Sequence, residues 1–341
     1  MKKLIILLLT AMLFIASNAY AAGTLYDAKK AYEAKNYAQA IKIFKPLALK
    51  GDVLAQFSLG VMYEYGMGIK QDYAEAVKWY KLAAEQGDAN AQFALGSKYA
   101  RGDGVAKNDS EAVKWYRLAA AQGNANGQKH LGVMYDFGRG VVQDYAEAVK
   151  WYKLAAEQSD AQAQHNLGII YLKGHGVKQD YAEAVRWWKL AAEQGDALSQ
   201  FALGSLYARG DGVTQNDSES VKWYKLAAEQ GDVQAEYFLG IDYYIGRGVV
   251  QDYAEAIRLF RLAVEDGHAQ AMYALGTAYL LGNGVVEDYV KAHMWINLSA
   301  ALSAENAIKQ RTSLAELMTQ QQIAEAQKLA RECLARKYKG C

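Results

Sequence analysis

The chain has 341 residues, 52% of them hydrophobic, with 38 basic and 37 acidic residues and a formal net charge of +1. A general nucleic-acid binder carries a basic excess, so this balance argues against one. Length alone would suggest two globular domains, but a strict internal repeat replaces that estimate with one continuous array.

Residues 1–21 combine Lys2 and Lys3, an apolar run from Leu4 to Ile15 and the small-residue end Ala19-Tyr20-Ala21. This is the layout of a cleavable secretory signal, with the cut expected just after Ala21. The apolar run is too short for a membrane anchor, and no other segment approaches the roughly 20 apolar residues a spanning helix needs. A lipid anchor would require a cysteine at the cleavage site, where none stands. The expectation is a periplasmic or secreted protein, not a lipoprotein, with no transmembrane anchor after cleavage.

Residues 22–50 read as an N-terminal capping helix pair, with Tyr37 opening the second helix and Phe44 as its central aromatic. Pro46 falls inside that helix and is expected to kink or shorten it.

From 51 to 302 the dipeptide Leu-Gly returns every 36 residues, from Leu59-Gly60 to Leu275-Gly276, seven times in all. A tyrosine follows each leucine by four residues (Tyr63 to Tyr279), and a Gly-x-Gly pair such as Gly66 and Gly68 follows the tyrosine. The stretch from Gln92 to Tyr116 recurs almost unchanged from Gln200 to Tyr224, three repeats later, so a three-repeat block looks duplicated.

Within a unit, Ala55, Leu59, Gly60 and Tyr63 share one face of a predicted helix A over 53–65, at spacings of three and four. A predicted helix B over 73–86 opens with Asp72-Tyr73-Ala74-Glu75, in which Asp72 caps and Glu75 is expected to reach back to the cap's amide. The same logic recurs at Asn108 and Glu111, Asp144 and Glu147, Asp180 and Glu183, Asn216 and Glu219, and Asp252 and Glu255, while Lys291 breaks it opposite Asp288. Helix B carries Ala76, Trp79, Tyr80 and Ala83, so small residues admit a neighbouring helix and aromatics fill the remaining space. Truncating such a buried aromatic costs about 3–5 kcal/mol. Gly87 and its equivalents, with Ser159 once, sit where a helix end needs a left-handed backbone. The Gly-x-Gly pairs read as turn devices, and the aliphatic residue after each (Ile69, Val105, Val141, Val177, Val213, Val249, Val285) is expected to pin the loop to the core.

Residues 303–341 read as C-terminal capping helices and tail, including an amphipathic helix near 319–335 that Thr319 and Gln322 open as a capping box. Cys333 and Cys341 either pair across the end of that helix or remain thiols.

The recurring pattern from Ala-x-Ala-Gln through Leu-Gly-x-x-Tyr, Gly-x-Gly-Val and Asp-Tyr-Ala-Glu-Ala-Val-Lys-Trp-Tyr to Glu-Gln-Gly-Asp resembles the Sel1-like repeat family, a relative of the tetratricopeptide repeats. The resemblance covers roughly residues 51–300. It implies an all-α fold, a right-handed α-solenoid of about seven 36-residue helix-turn-helix repeats whose A helices line a concave face that holds other proteins. One secreted branch of the family carries a disulfide in each repeat and is associated with β-lactams. The repeats here contain no cysteine, and neither Ser-x-x-Lys nor Lys-Thr-Gly occurs, which argues against a penicillin-directed activity.

No His-Glu-x-x-His, Cys-x-x-Cys, Walker-type loop or Gly-x-Ser-x-Gly is present. The five histidines, His130, His165, His175, His268 and His293, lie mostly in different columns, so surface or groove positions explain them better than a metal site. Trp79, Trp115, Trp151, Trp187 and Trp223 share one helix B column and read as core, not as a glycan-stacking surface. No catalytic residue, cofactor or metal is expected.

By analogy with tetratricopeptide repeats, the residue two before each repeat leucine points into the groove: Phe57, Phe93, Lys129, His165, Phe201, Tyr237 and Tyr273. Arg101, Phe137, Lys173 and Arg209, with Ile245, mark a second groove column near the end of helix A, and Asn90, Asn126, Gln162, Gln234 and Gln270 a third near its start. Aromatics grip side chains, amides bond a peptide backbone and cations hold an acidic residue. These columns point to a non-catalytic scaffold for a protein or peptide partner in the cell envelope or host. The alternatives are a cell-envelope enzyme directed at peptidoglycan or β-lactams, and a glycan-binding module.

Overall fold

A computed structural model describes residues 24–302 and 305–341, so the expected signal segment lies outside the described residues. The described residues form eighteen helices and no strand. They fall into two compact units, one of residues up to Ala163 with His175–Val177, the other of Gln164–Gly174 with Lys178–Cys341. The first holds α1 (24–33), α2 (Tyr37–Leu49), α3 (Val53–Tyr65), α4 (Tyr73–Glu85), α5 (Ala89–Arg101), α6 (Asp109–Ala121), α7 (Ala125–Phe137) and α8 (Tyr145–Glu157). In the second are most of α9 (Ala161–Lys173), then α10 (Tyr181–Glu193), α11 (Ala197–Arg209), α12 (Asp217–Ala228), α13 (Val233–Ile245), α14 (Tyr253–Glu265), α15 (Ala269–Leu281), α16 (Tyr289–Ala301), α17 (Glu305–Glu316) and α18 (Gln320–Ala335). Successive helices pack on one another from α2 to α8 in the first unit and from α10 to α16 in the second. The chain is an α-solenoid of helix pairs.

The Leu-Gly column exists because the two helices of a pair cross at its glycine. A Cβ on Gly60 would stand 2.5 Å from the Tyr80 ring, and one on Gly204 2.5 Å from the Tyr224 ring. The ring is therefore buried directly against bare backbone, and Tyr80, Tyr116 and Tyr152 are among the largest fully buried side chains. In the Gly-x-Gly loop the two glycines do different work. The first caps helix A in the left-handed region, as Gly102 does at φ +83. The second is a packing contact: a Cβ on Gly104 would stand 2.3 Å from the backbone of Tyr73, at the start of the preceding repeat's helix B. The aliphatic residue that follows is half-buried in each repeat.

Helix B is capped differently from the expectation. Asp72 accepts from the Glu75 amide at 3.0 Å, but the Asp72 amide donates to the carbonyl of Tyr63 at 3.0 Å. The donor that Glu75 was to satisfy is thus already taken by the conserved-column tyrosine's backbone. Asn108, Asp144, Asp180, Asn216, Asp252 and Asp288 repeat this bond with Tyr99, Tyr135, Tyr171, Tyr207, Tyr243 and Tyr279. The first-turn glutamates turn outward and pair one turn on, as Glu147 with Lys150 and Glu183 with Arg186. Thr319 and Gln322 do form the expected reciprocal box. Pro46 does not shorten α2, which runs thirteen residues to Leu49.

A further joint ties successive B helices together. Buried Gln56 on α3 donates to the Ala48 carbonyl at 3.1 Å and accepts from Gln86 at 2.7 Å. One glutamine thereby links the end of the previous helix B to the end of its own. Gln92 with Gln122 and Gln128 with Gln158 repeat it in the first unit. Gln164 with Gln194 and Gln200 with Gln230 repeat the side-chain pair in the second.

At the C-terminal end α17 and α18 both pack on α16. Cys333, fully buried, is bonded to Cys341. Of the tryptophan column, Trp115, Trp187 and Trp223 are buried in the core, while Trp79 and Trp151 are half-buried at its edge. Two histidines depart from the surface or groove expectation: His268 and His293 are buried. His268 takes the place of the usual aspartate as the N-cap of α15, accepting from the Ala271 amide.

Candidate functional site

The residue two before each repeat leucine is half-buried in six of seven cases, and Phe57, Phe93, His165, Phe201 and Tyr237 each lie on the helix B aromatic of their own repeat. Ring centroids are 5.8 Å apart for Phe57 and Tyr80, 5.9 Å for Phe93 and Tyr116, 5.7 Å for Phe201 and Tyr224, and 6.3 Å for Tyr237 and Phe260. Three of these rings also meet the next repeat's helix A or its cap: Phe93 meets His130 at 5.1 Å, Phe201 meets Phe238 at 5.9 Å, and Tyr237 meets the N-cap His268 at 4.7 Å. These rings are held by the core beneath them, which fixes their rotamers before any partner arrives. Tyr273, on α15, is half-buried too and lines a pocket described below.

Lys129 departs from this pattern. It is buried, not presented to a ligand, because its ammonium is held by Asp160 at 2.9 Å and by the Gln162 side chain at 2.8 Å. Gln162 is likewise occupied. Arg101 and Arg209 are exposed but each is closed on a neighbour, Asp103 and Asp211, at 2.7 Å. Phe137, 68% exposed, and Lys173, also exposed, project at the ends of their helices. Asn90 accepts from Asn124, the N-cap of α7.

In the first unit Phe57, Phe93, Asn90 and Arg101 converge on one cavity of about 300 Å³, completed by Tyr65, Glu64, Lys98 and His130. It holds an ion cluster built on Lys98 and Glu64, which the groove columns do not include. Lys98, 1% exposed, is paired with Glu64, which also accepts from the Tyr80 hydroxyl at 2.6 Å and faces Arg101 at 3.8 Å. Burial and the Glu64 carboxylate push the Tyr80 hydroxyl well above the usual tyrosine range, so it stays a donor. Burial lowers the His130 pKa, which favours the neutral ring against Phe93. The sequence signal for Lys98 was present: its column reads Met62, Met134, Ile170, Leu206 and Ala278 elsewhere, with Asp242 the other charged member.

In the second unit Tyr237 and Tyr273 line a pocket of about 180 Å³ with Ile241, Tyr244, Phe260, Ala274 and Thr277. No charged side chain lines it. Phe201 stands on Tyr224 and Phe238.

His165, Ser199 and Asp196 come together, and the trio invites comparison with a hydrolase triad. The same ring nitrogen, Nδ1, faces both Ser199 Oγ at 2.8 Å and Asp196 Oδ1 at 3.4 Å. A triad needs the two ring nitrogens to serve the two partners separately, and needs an accessible nucleophile. Ser199 is 0% exposed, so this trio is an inter-repeat tie at the N-cap of α11. Among the described residues no group of three or more His, Cys, Asp or Glu is arranged to hold a metal. No described helix is long and apolar enough to cross a membrane.

The chain is similar in structure to a protective antigen present in uropathogenic Escherichia coli strains that displays an SLR fold, at 27% identity and a TM-score of 0.59, covering 97% of this chain and 95% of that one. It is similar also to a Sel1 repeat protein from Oxalobacter formigenes, at 32% identity and a TM-score of 0.62, covering 72% of this chain and 96% of that one. No curated protein matches the chain. The Sel1 repeat model matches at 53–88, 89–124, 125–160, 161–196, 197–232, 233–268 and 269–303, in the register of the helix pairs. Sel1 repeat proteins are in general protein-interaction scaffolds. With the helix pairs, the glycine crossings and seven consecutive model matches in one register, this chain belongs to the Sel1 repeat family.

Proposed function

We propose that this protein is a non-catalytic scaffold that holds a protein or peptide partner on the face formed by its A helices, and that it acts in the periplasm or after secretion. The observation that carries the reading is the half-buried aromatic column, with Phe57 and Phe93 walling a cavity in one unit and Tyr237 and Tyr273 in the other. Aromatics immobilised by a core and open on one side are the residue type that dominates binding energy at protein interfaces. His165, Ser199 and Asp196, which combine catalytic residue types, have their hydroxyl buried. Export rests on the layout of residues 1–21.

The test places a photo-crosslinking amino acid at position 93 in the native host, with a control at exposed position 81 on α4. The expected result is a discrete protein adduct at 93 and none at 81, on a chain whose N-terminus begins just after Ala21. Turnover of a β-lactam or peptidoglycan by the purified protein, or tight binding of envelope glycan with no protein adduct, would replace this reading with the enzyme or glycan-binding alternative.

A further inference from the structure

The glutamine joint between successive B helices changes chemistry in the sixth repeat. Read through the repeat register, the paired positions are Gln56 and Gln86, Gln92 and Gln122, Gln128 and Gln158, Gln164 and Gln194, Gln200 and Gln230, then Glu236 and Asp266, then Met272 and Leu302. Both partners change together each time, from two amides to two carboxyls and then to two apolar side chains. That is the behaviour of groups in contact. In the amide form the helix A glutamine both donates, to a backbone carbonyl eight residues earlier, and accepts, from the helix B glutamine; Gln200 does so with Ala192 and Gln230. A carboxylate at that place has no proton to give and meets a second acceptor. Glu236 is 6% exposed, and its Oε2 has no hydrogen-bond partner.

We propose that Glu236 and Asp266 form a proton-operated clasp between α13 and α14, closed when Glu236 carries a proton and loosened when both carboxyls are ionised. A protonated Glu236 is an isostere of glutamine with one donor restored, and its O–H can donate to the Asp266 carboxylate, so the link to the end of α14 is remade with the donor on the other partner. Ionisation leaves a buried carboxylate beside a second one, with no compensating donor. The surroundings favour the proton. Burial is the largest influence, Asp266, Asp232 and Glu265 add to it, and Arg258 opposes it, which together hold the Glu236 carboxyl at about 7. Arg258 is itself engaged with Glu255 on α14. Lys225 and Glu229, at the adjoining end of α12, border the same crevice as Arg258, and His268 of α15 stacks on the neighbouring Tyr237. The clasp is thus poised within the range that an extracytoplasmic compartment experiences, and it adjoins Tyr237 in the aromatic pocket. It does not depend on the partner-binding reading.

Hydrogen exchange followed by mass spectrometry tests this on the full chain, corrected for intrinsic rates, with α5 and α6 as internal reference because they keep the Gln92–Gln122 pair. Between about pH 5.5 and pH 8.5, protection of α13 and α14 relative to that reference should fall about tenfold in the wild type. In Glu236→Gln and in the double variant Glu236→Gln with Asp266→Gln, the ratio should hold steady, while His268 and Arg258 remain as they were. An equal fall in the double variant, or no fall in the wild type, would overturn the proposal. So would full recovery of wild-type protection at pH 8.5 on adding millimolar calcium, which would make the pair a cation site.

Discussion

At the scale of single residues, this protein places charge where its own repeat calls for apolar groups. Lys98 and Asp242 occupy one column that is methionine, isoleucine or leucine in four other repeats, and each is 1% exposed. Each is bound to a partner, Lys98 to Glu64 and Asp242 to Arg247 at 2.6 Å. A buried pair gains little over a well-packed apolar substitute, but breaking it strands a charge. Lys98→Met alone is therefore expected to cost about 1–3 kcal/mol, since Glu64 keeps Tyr80 and Arg101, while Lys98→Met with Glu64→Leu should lie within about 1 kcal/mol of wild type. A double-mutant cycle by denaturant unfolding checks this. For Asp242, burial raises the carboxyl to about 6, and the Arg247 guanidinium opposes that rise. The folded state thus binds this proton more tightly than the unfolded chain does. Its contribution is full below the ordinary aspartate range and is lost as pH rises through about 6. Arg247 is 37% exposed and stays solvated without its partner, so Asp242→Leu should remove that loss and raise stability at pH 8 by about 1 kcal/mol, seen as a flatter profile of melting temperature against pH.

At the scale of elements, each helix pair is a crossing at a glycine and a cap tied to the preceding turn. Gly204→Ala drives a methyl group into the Tyr224 ring, whose place is fixed by Leu239 and the rest of its cluster. The expected cost is about 1–3 kcal/mol, read from the thermal unfolding of the chain. The N-cap column is doubly bound, by the side chain to the helix and by the backbone amide to the preceding tyrosine's carbonyl, and only the first depends on the residue type. Asp144→Ala should accordingly cost about 1 kcal/mol, within the usual range for a lost cap, while the Tyr135 contact persists. Exchange protection of the first turn of α8 distinguishes the two bonds. The last turn of the chain is fixed by α17 and α18 on α16 and by the Cys333–Cys341 bond.

At the scale of the whole molecule, stability in a repeat array is a sum of repeat and neighbour terms, so a weak joint affects local opening more than global collapse. Binding is expected to follow the aromatic column. Joint substitution of Phe93, His165 and Phe201 by alanine should weaken partner capture at least about tenfold, with helical content by circular dichroism unchanged. Loss of the fold in that variant would refute the assignment of these side chains to a binding face. Because Arg101, Arg209 and Lys129 are already paired internally, capture should depend only weakly on salt.

The helix pairs were legible in the sequence because a 36-residue period repeats each packing requirement seven times: the Leu-Gly crossing, the Tyr80 column and the capped start of helix B all stand in fixed register. Alternation of apolar and polar positions sets a helix face without reference to anything distant. Partnership between polar groups is different, since it depends on how turns fold and helices stack and not on spacing along the chain alone. Thus Lys129 read as a groove cation until Asp160 at the end of its repeat was seen to hold it, Glu75 read as half of a capping box until the Tyr63 carbonyl was seen to take the amide, and Arg101 read as a groove cation until Asp103 was seen to close on it. The cavity that gathers Phe57, Phe93, Glu64, Lys98 and His130, and the buried carboxyl of Glu236, were decided by tertiary structure alone, because burial and desolvation are properties of the packed array and not of any one repeat.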